Sequence, residues 1–364
     1  MLKNNLEEIH EGVSKFLNKL NYDDFSYFSN SKETFDTYNL PRLGNSCYAI
    51  KLKIILGEWK DIDFAKQKKW INYITSFQSH NIDKFQTFFV DEVIYDFHIE
   101  YSNRYKDVLK LILNNAANKN YKTSNLKLEE AINAETKQAL STIYDAGFKN
   151  ENSVEIKFKN TVEMITYLKN LNWRFPWNAG GQFASMCLYS SIQSYNNNIE
   201  LEKFILQYLD KDTGAYFKGK PDSTREIING SMKVISGLEW LNIPIHNPKR
   251  LIDFCLTNKP DAEGCDIVDY VYVLFSCSSQ INYRKKEIIQ LFDEISDLMY
   301  EKLFKKEEGA FSYFFNKSQT HYYGYPVSDG SNQADIHGTL LSMWAISMIQ
   351  NIKHPDTKLK LIKP

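Results

Sequence analysis

Apolar residues recur along most of the chain at spacings of three and four, which is the period of an amphipathic α-helix. The first of these stretches carries Leu6, Ile9, Val13, Phe16, Leu17 and Leu20 on one face. By residue number, further helices are predicted at 47–56, 64–77, 91–115, 127–144, 162–171, 182–195, 201–209, 226–241, 248–256, 265–277, 286–304 and from 336 onward. No stretch shows the competing alternation of a β-strand. The pattern therefore predicts an all-α fold.

Three turns that follow apolar helices share one order, in which an acidic or glycine turn precedes an aromatic residue: 81–85, 212–216 and 308–311. After the last two, a polar connection leads to a helix with glycine and a hydroxyl residue near its start, at Gly230-Ser231 and Gly338-Thr339. Repeated helix pairs of this size predict a solenoid or a closed ring of helical hairpins. We expect a single domain over 1–364, with the helix and polar loop of 1–45 packing on it.

This order resembles the α/α toroid of terpenoid cyclases and protein prenyltransferase β subunits, where an outer helix leads through a Gly-aromatic turn to an inner helix that lines a central cavity. The resemblance covers about residues 60–350 and is strongest at 212–240 and 309–344. It implies an enzyme with an aromatic-lined pocket and cyclase-like or transferase-like chemistry. Toroids of similar build also host polysaccharide lyases, glycosidases and lanthionine cyclases. A carbohydrate-active enzyme is therefore a second expectation, and a non-catalytic ring that binds a glycan or peptide is a third.

Charge and composition limit the kinds of partner and the cellular compartment that we expect. The 44 basic and 45 acidic residues give a net charge of −1, which provides no global field for nucleic acid or an anionic membrane. No apolar stretch is long enough to span a bilayer, and the first 20 residues lack the apolar core of a signal peptide. The five cysteines contain no C-x-x-C pair, which fits a reducing compartment. We expect a cytoplasmic protein that acts on a small molecule or glycan.

In a toroid, the starts of the inner helices open on the cavity, and this selects the candidate site residues. Those suited to acid–base work are Asp335, His337, Tyr323, Asp266 and Asp269. Those suited to binding a substrate are Arg174, Trp177, Asn178, Arg225, Glu226, Tyr270, Tyr322 and Asp329. The 23 tyrosines and 23 phenylalanines are compatible with an aromatic wall around this site, or simply with packing between helices.

The stretch 173–183 combines two tryptophans, an arginine, a proline and a glycine pair. Proline and glycine are expected to interrupt regular helix here, so that the next helix begins at Gln182. The loop either faces a ligand, with amides that receive an anion, or forms a packed corner. In a lyase or epimerase, Tyr323 or His337 would serve as base, and Arg174 with Asn178 would neutralise a carboxylate.

Other chemistries need different groups. A glycosidase would draw a carboxylate pair from Asp266, Asp269 and Asp335. Asp335-Ile336-His337-Gly338-Thr339 is similar to the helix start through which prenyltransferase β subunits bind zinc with a histidine. A zinc site of Cys265, Asp266 or Asp269, and His337 is therefore an alternative to our expectation of no cofactor. Lanthionine cyclases use Cys and then Cys-His, and Ile336 stands in the place of the second cysteine.

Overall fold

The computed structural model of the chain describes residues 5–31, 40–79, 82, 85–117, 121–155, 158, 160–193, 197–259 and 263–364. Within these ranges the fold is all-α, as predicted, with three short antiparallel strand pairs. None of the described helices combines the length and apolar character that crossing a bilayer requires.

The helices follow one another along the chain with short connections between most of them. In chain order they are α1 (Leu6–Leu20), α2 (Leu43–Ile55), α3 (Phe64–Thr75), α4 (Glu92–Glu100), α5 (Arg104–Ala117), α6 (Ser124–Asp145), α7 (Thr161–Asn170), α8 (Pro176–Ile192), α9 (Asn198–Ile205), α10 (Thr224–Trp240), α11 (Pro248–Thr257), α12 (Cys265–Gln280), α13 (Lys285–Lys302) and α14 (Ile336–Lys353). The strand pairs are β1 (Asn21–Asp23) with β2 (Ser26–Tyr27), β3 (Phe304–Lys305) with β4 (Ala310–Phe311), and β5 (His321–Tyr322) with β6 (Tyr325–Pro326).

Six helices, which we call the core helices, are α2, α6, α8, α10, α12 and α14. Their contacts run in cyclic order: α2 packs on α6, α6 on α8, α8 on α10, α10 on α12, α12 on α14, and α14 on α2. The α8–α10 approach is close because glycine lies at the contact. A Cβ atom on Gly230 would collide with Pro176, and one on Gly237 would touch the backbone of Ala184.

The flanking helices α1, α3, α7, α9, α11 and α13 alternate with the core helices along the chain, and they bury one side only. In α1 the predicted apolar face is confirmed, because Ile9, Val13, Phe16, Leu17 and Leu20 are buried. The buried residues of α11 and α13 follow the same helical spacing, and these helices pack on α12 and α14. The flanking helices therefore pack through one apolar face each.

The turns after α3, α9 and α13 are each closed by antiparallel pairing. Gln78 pairs with Phe89, Leu209 pairs with Tyr216, and β3 pairs with β4. Of the first predicted turn, Asn81, Asp83 and Lys84 lie outside the described residues. In the last turn, Gly309 has a φ of 69° and its backbone touches that of Gly12 in α1, which leaves no room for a side chain on either residue.

Several predicted helix boundaries are wrong, and two of them have a clear local cause. The helix expected at 91–115 is divided into α4 and α5, because the Asn103 side chain accepts a hydrogen bond from Lys106 N at 3.0 Å and starts a new helix there. The helix expected from Gln182 begins at Pro176 instead. Proline fits the first helical turn, because its missing N–H has no partner to lose there.

Candidate functional site

A cavity of about 1480 Å³ lies among the core helices, and all six of them contribute to its lining. The helix pair α4–α5, the segment around β5 and β6, and residues 362–364 complete the wall. Trp177, Glu226, Cys265 and His337 line it from the first turns of α8, α10, α12 and α14. These helices therefore point their amino-terminal ends toward the same end of the cavity, which we call the mouth.

The opposite end of the cavity is closed by residues 362–364. Lys51 Nζ donates to the carbonyl oxygen of Lys363 at 2.7 Å, and Trp240 Nε1 donates to that of Pro364 at 3.1 Å. The ammonium group of Lys363 lies 4.5 Å from the centre of the Trp240 ring. Because Lys51 also pairs with Asp145 at 2.9 Å, α2, α6 and α10 are all tied to this floor.

A cluster of opposite charges lies between the mouth and the floor. Lys233 Nζ of α10 is 3.9 Å from Asp269 Oδ1 of α12, and Lys137 Nζ of α6 donates to Ser236 Oγ at 3.4 Å. All three charged residues line the cavity. Burial, together with the charges of Lys233 and Lys51, lowers the pKa of Lys137 to about 7. The ammonium group of Lys137 has only a weak acceptor, so the cluster has room for a negative charge.

Asp269 retains an unused acceptor in this cluster. Its side chain is almost completely buried, and Oδ2 has no hydrogen-bond partner. Burial raises the pKa of Asp269 to about 6, although the Lys233 ammonium opposes the shift. Near neutral pH this carboxyl group can therefore accept or release a proton at modest cost.

His337 lies in the first turn of α14 and stacks on Tyr48 of α2, with ring centres 4.7 Å apart and planes nearly parallel. The second ring contact of His337 is Tyr313, at 5.1 Å. Burial and the charge of Lys233 lower the pKa of His337 to about 3, so the imidazole is neutral at physiological pH. Its Nδ1 atom has no hydrogen-bond partner. Asp269 and His337 thus both line the cavity, and each also carries one buried polar atom without a hydrogen-bond partner, Asp269 Oδ2 and His337 Nδ1.

Cys265 lines the cavity at the start of α12, and its sulfur lies 3.0 Å from the Tyr313 hydroxyl. Burial raises the pKa of this thiol to about 11, so it is protonated at neutral pH. The zinc alternative also needed Asp266 or Asp269, and His337. Across the part of the chain that the structure describes, no three His, Cys, Asp or Glu residues are arranged to hold a metal ion.

Two predicted catalytic carboxylates accept hydrogen bonds from other parts of the protein. Asp266 accepts hydrogen bonds from Arg225 Nε at 2.6 Å and Asn229 Nδ2 at 2.7 Å. Asp335 caps α14 through the amide of Gly338 at 2.7 Å, and it also accepts the amides of Tyr313 and Gln319. Burial raises the pKa of Asp335 to about 6 despite these bonds. Neither carboxylate is part of the cavity wall.

The segment around β5 and β6 brings two predicted tyrosines to the mouth. Tyr322 donates to Glu135 Oε1 at 3.4 Å, and Tyr323 adopts a left-handed backbone conformation with a φ of 48°. The carbonyl oxygen of Tyr323 accepts a hydrogen bond from His98 Nε2 of α4 at 3.0 Å. Both tyrosines line the cavity, whereas Asp329 is exposed and does not.

Some of the predicted binding residues line the cavity, and others do not. Trp177, Asn178 and Glu226 line the cavity; Glu226 accepts the Trp177 amide at 2.9 Å, and Asn178 donates to Glu130 at 2.8 Å. Burial raises the pKa of Glu226. The remaining three lie outside the lining: Arg225 stacks over Trp177 and pairs with Asp266, Arg174 pairs with Asp222 at 2.6 Å, and Tyr270 donates to the Cys255 carbonyl at 2.8 Å.

Lys137, Lys233 and Tyr48 were not among the predicted site residues. A signal exists for Lys137 in α6, where the polar residues Glu130, Lys137, Gln138 and Ser141 line the cavity at helical spacing. In a sequence, such a polar stripe indicates a solvent-exposed face, so it does not single out a buried lysine.

No protein-family model, no curated protein and no solved structure matches this chain. The candidate site therefore rests on its own geometry.

Proposed function

We propose that the chain is an α/α toroid enzyme with its active site in the central cavity, and that it carries out cyclase-like or transferase-like chemistry on an amphiphilic anion such as an isoprenoid diphosphate. The toroid is supported by the cyclic contacts of the core helices and by the alternation of core and flanking helices along the chain. The observation that carries the functional proposal is the cavity lined by all six core helices, with Lys137, Lys233, Asp269 and His337 on its wall.

The lysines define the charge of the substrate. Lys137 and Lys233 both line the cavity wall, and Asp269 is the nearby carboxylate that partly balances their charge. An anionic group on the substrate would complete the charge balance of this cluster.

The remaining wall fits an apolar chain. Met232, Leu340, Leu341 and Trp344 line the cavity on α10 and α14, and Tyr48 joins them from α2. Apolar walls with a few convergent polar groups are typical of small-molecule sites. An amphiphilic substrate would place its anionic group against Lys137 and Lys233 and its chain along this wall.

Asp269 is the proposed proton-transfer residue. With a pKa of about 6, it can hold a proton for delivery to the substrate or accept one released from it. His337 stays neutral and lines the cavity, where its ring would orient the substrate. Tyr48 fixes the plane of this imidazole by stacking.

The test combines ligand binding with turnover. Purified protein is incubated with geranyl and farnesyl diphosphate, binding is followed by the thermal unfolding midpoint, and products are identified by mass spectrometry. We expect Asp269→Asn to lower kcat by at least about 100-fold while the substrate-induced midpoint shift persists, because the substitution removes the proton-transfer group and keeps its shape. Asp253→Asn is the matched control, since Asp253 lies on flanking helix α11, pairs with Arg284 just before α13, and does not line the cavity.

An acidic sugar is the second candidate, and the polar mouth of the cavity favours it. Trp177 provides an aromatic platform there, next to Asn178, Gln182 and Glu226. Oligouronates therefore form the other arm of the same experiment. Turnover of uronates alone would replace the isoprenoid assignment with the carbohydrate one. Binding of either ligand without turnover would overturn the enzyme proposal in favour of a binding ring, and no binding of either class would overturn the substrate assignment.

A further inference from the structure

Helix α5 is amphipathic, but its polar side faces the protein. Asp107 Oδ1 accepts the amide of Ser124 at 3.0 Å and the ammonium group of Lys110 at 3.0 Å. One turn further on, Asn114 donates to the Tyr121 carbonyl at 2.9 Å. Lys106 and Lys110 also line the cavity. The contacts that hold α5 in place are therefore polar.

The apolar side of α5 faces outward. Leu109 and Ile112 are 60% and 56% exposed, and Tyr105 is 87% exposed. The complete outward set is Tyr105, Val108, Leu109, Leu111, Ile112 and Leu113. With 100° between successive residues, this set covers about 200° of the helix circumference. We call it the α5 apolar surface.

The tyrosines at the ends of this surface indicate its partner. Exposed tyrosines at both ends of the surface, Tyr101 and Tyr121, are residues that favour the boundary between lipid and water.

The charges around the surface point to the same partner. Arg104 and Lys106 are exposed beside it, and Lys127 is exposed at the start of the next helix. Anionic headgroups would neutralise these basic residues while the apolar side chains enter the acyl boundary.

We propose that the α5 apolar surface docks the protein on an anionic lipid membrane, with α5 lying in the headgroup region. At 14 residues, α5 is about 21 Å long, too short to cross the hydrocarbon core. Because Lys106 and Lys110 line the cavity from the polar side of α5, docking would place the cavity on the far side of this helix from the lipid.

The experiment is flotation of the full chain with vesicles of phosphatidylcholine containing one quarter phosphatidylglycerol. We expect the wild type to float with these vesicles, and Leu109→Ser/Ile112→Ser to reduce the bound fraction at least about tenfold, because two large side chains lose their insertion energy. The matched control is Val162→Ser/Ile199→Ser, which alters two residues that are 73% and 60% exposed on flanking helices α7 and α9. This control should float like the wild type.

Each alternative outcome overturns the proposal. Wild-type protein that stays unbound, or a Leu109→Ser/Ile112→Ser variant that binds as well as the control, would show that the surface does not meet lipid. Equal binding to pure phosphatidylcholine would remove the part played by the basic residues. A wild type that is dimeric by light scattering, and a double variant that is monomeric, would assign the surface to a second copy. None of these readings depends on turnover in the cavity.

Discussion

The cavity among the core helices and helix α5 both depart from the usual placement of polar and apolar residues, in opposite ways. Lys137, Lys233 and Asp269 line the cavity between the core helices. Helix α5 holds its polar side against the protein and exposes leucine and isoleucine. Both arrangements cost free energy in an isolated molecule, because one desolvates charge and the other leaves apolar surface in water.

The two arrangements indicate different partners. Charge inside a cavity of fixed shape favours a small ligand that supplies the missing opposite charge. An apolar surface on a projecting helix favours a large partner that accommodates any rotation of the helix. Substitutions in the two regions should therefore change different quantities. Substitutions of residues that line the cavity should alter stability and ligand binding, whereas substitutions on α5 should alter association alone.

The largest expected loss of stability comes from a substitution in the packing of α8. Phe183 of α8 is fully buried and its ring lies 6.2 Å from that of Phe204 in α9. Phe183→Ala should lower the free energy of unfolding by about 3–5 kcal/mol, through lost burial and the cavity left behind. Urea denaturation measures this. A loss below about 1 kcal/mol would mean that α8 does not pack as described.

A substitution in the cavity is expected to raise the free energy of unfolding instead of lowering it. Lys137→Met removes a poorly compensated buried charge while keeping most of the volume, so it should raise the free energy of unfolding by about 1–3 kcal/mol at pH 6–7. The same variant should weaken the binding of an anionic ligand. Lys211→Met, at an exposed turn, is the control and should change neither quantity.

The Lys137 effect should also depend on pH. The folded protein releases the Lys137 proton near pH 7, whereas the unfolded chain retains it to about 10.4. The unfolded state therefore binds more protons between these values, and wild-type stability should rise with pH across this window. The groups that face Lys137 are Lys233 and Lys51, which lower its pKa, and Asp269 and Cys187, which raise it. The advantage of Lys137→Met should shrink from pH 7 to pH 10, and a constant difference would contradict the assigned charge.

The smallest effect on stability is expected on α5. Leu109→Ser/Ile112→Ser alters two side chains that are mostly in water, so unfolding should change by no more than about 0.5 kcal/mol per substitution. Circular dichroism during urea denaturation is the measurement. A loss comparable to that of Phe183→Ala would mean that the α5 apolar surface packs within the protein, and the contrast between the two regions would fail.

Helical periodicity was sufficient to predict the all-α fold, because each flanking helix buries one clear apolar stripe, as in α1. It failed where a local contact decides the boundary. A side-chain bond from Asn103 starts α5, and Pro176 begins α8 instead of interrupting it. Such boundaries depend on one residue each and leave no periodic signal.

The candidate site was predicted in part. His337, Asp269, Trp177 and Tyr323 line the cavity, as expected for residues at or near the starts of core helices and in the segment before α14. Asp335 comes only two residues before His337, yet backbone amides occupy it. Position near a helix start can be predicted from sequence. The direction of the side chain depends on helix rotation and on loops that return from distant parts of the chain.

The contact between α2 and α14 has a consequence for how the chain folds. These helices are separated by almost the whole sequence, yet they are neighbours in the cyclic order of the core helices. The loop that their contact closes is among the longest the chain can form, and such closures are entropically costly and slow. Helix pairs can assemble locally, but the cavity is complete only after this last pairing. Ligand binding during refolding would therefore report the slowest step, after most helical signal has returned.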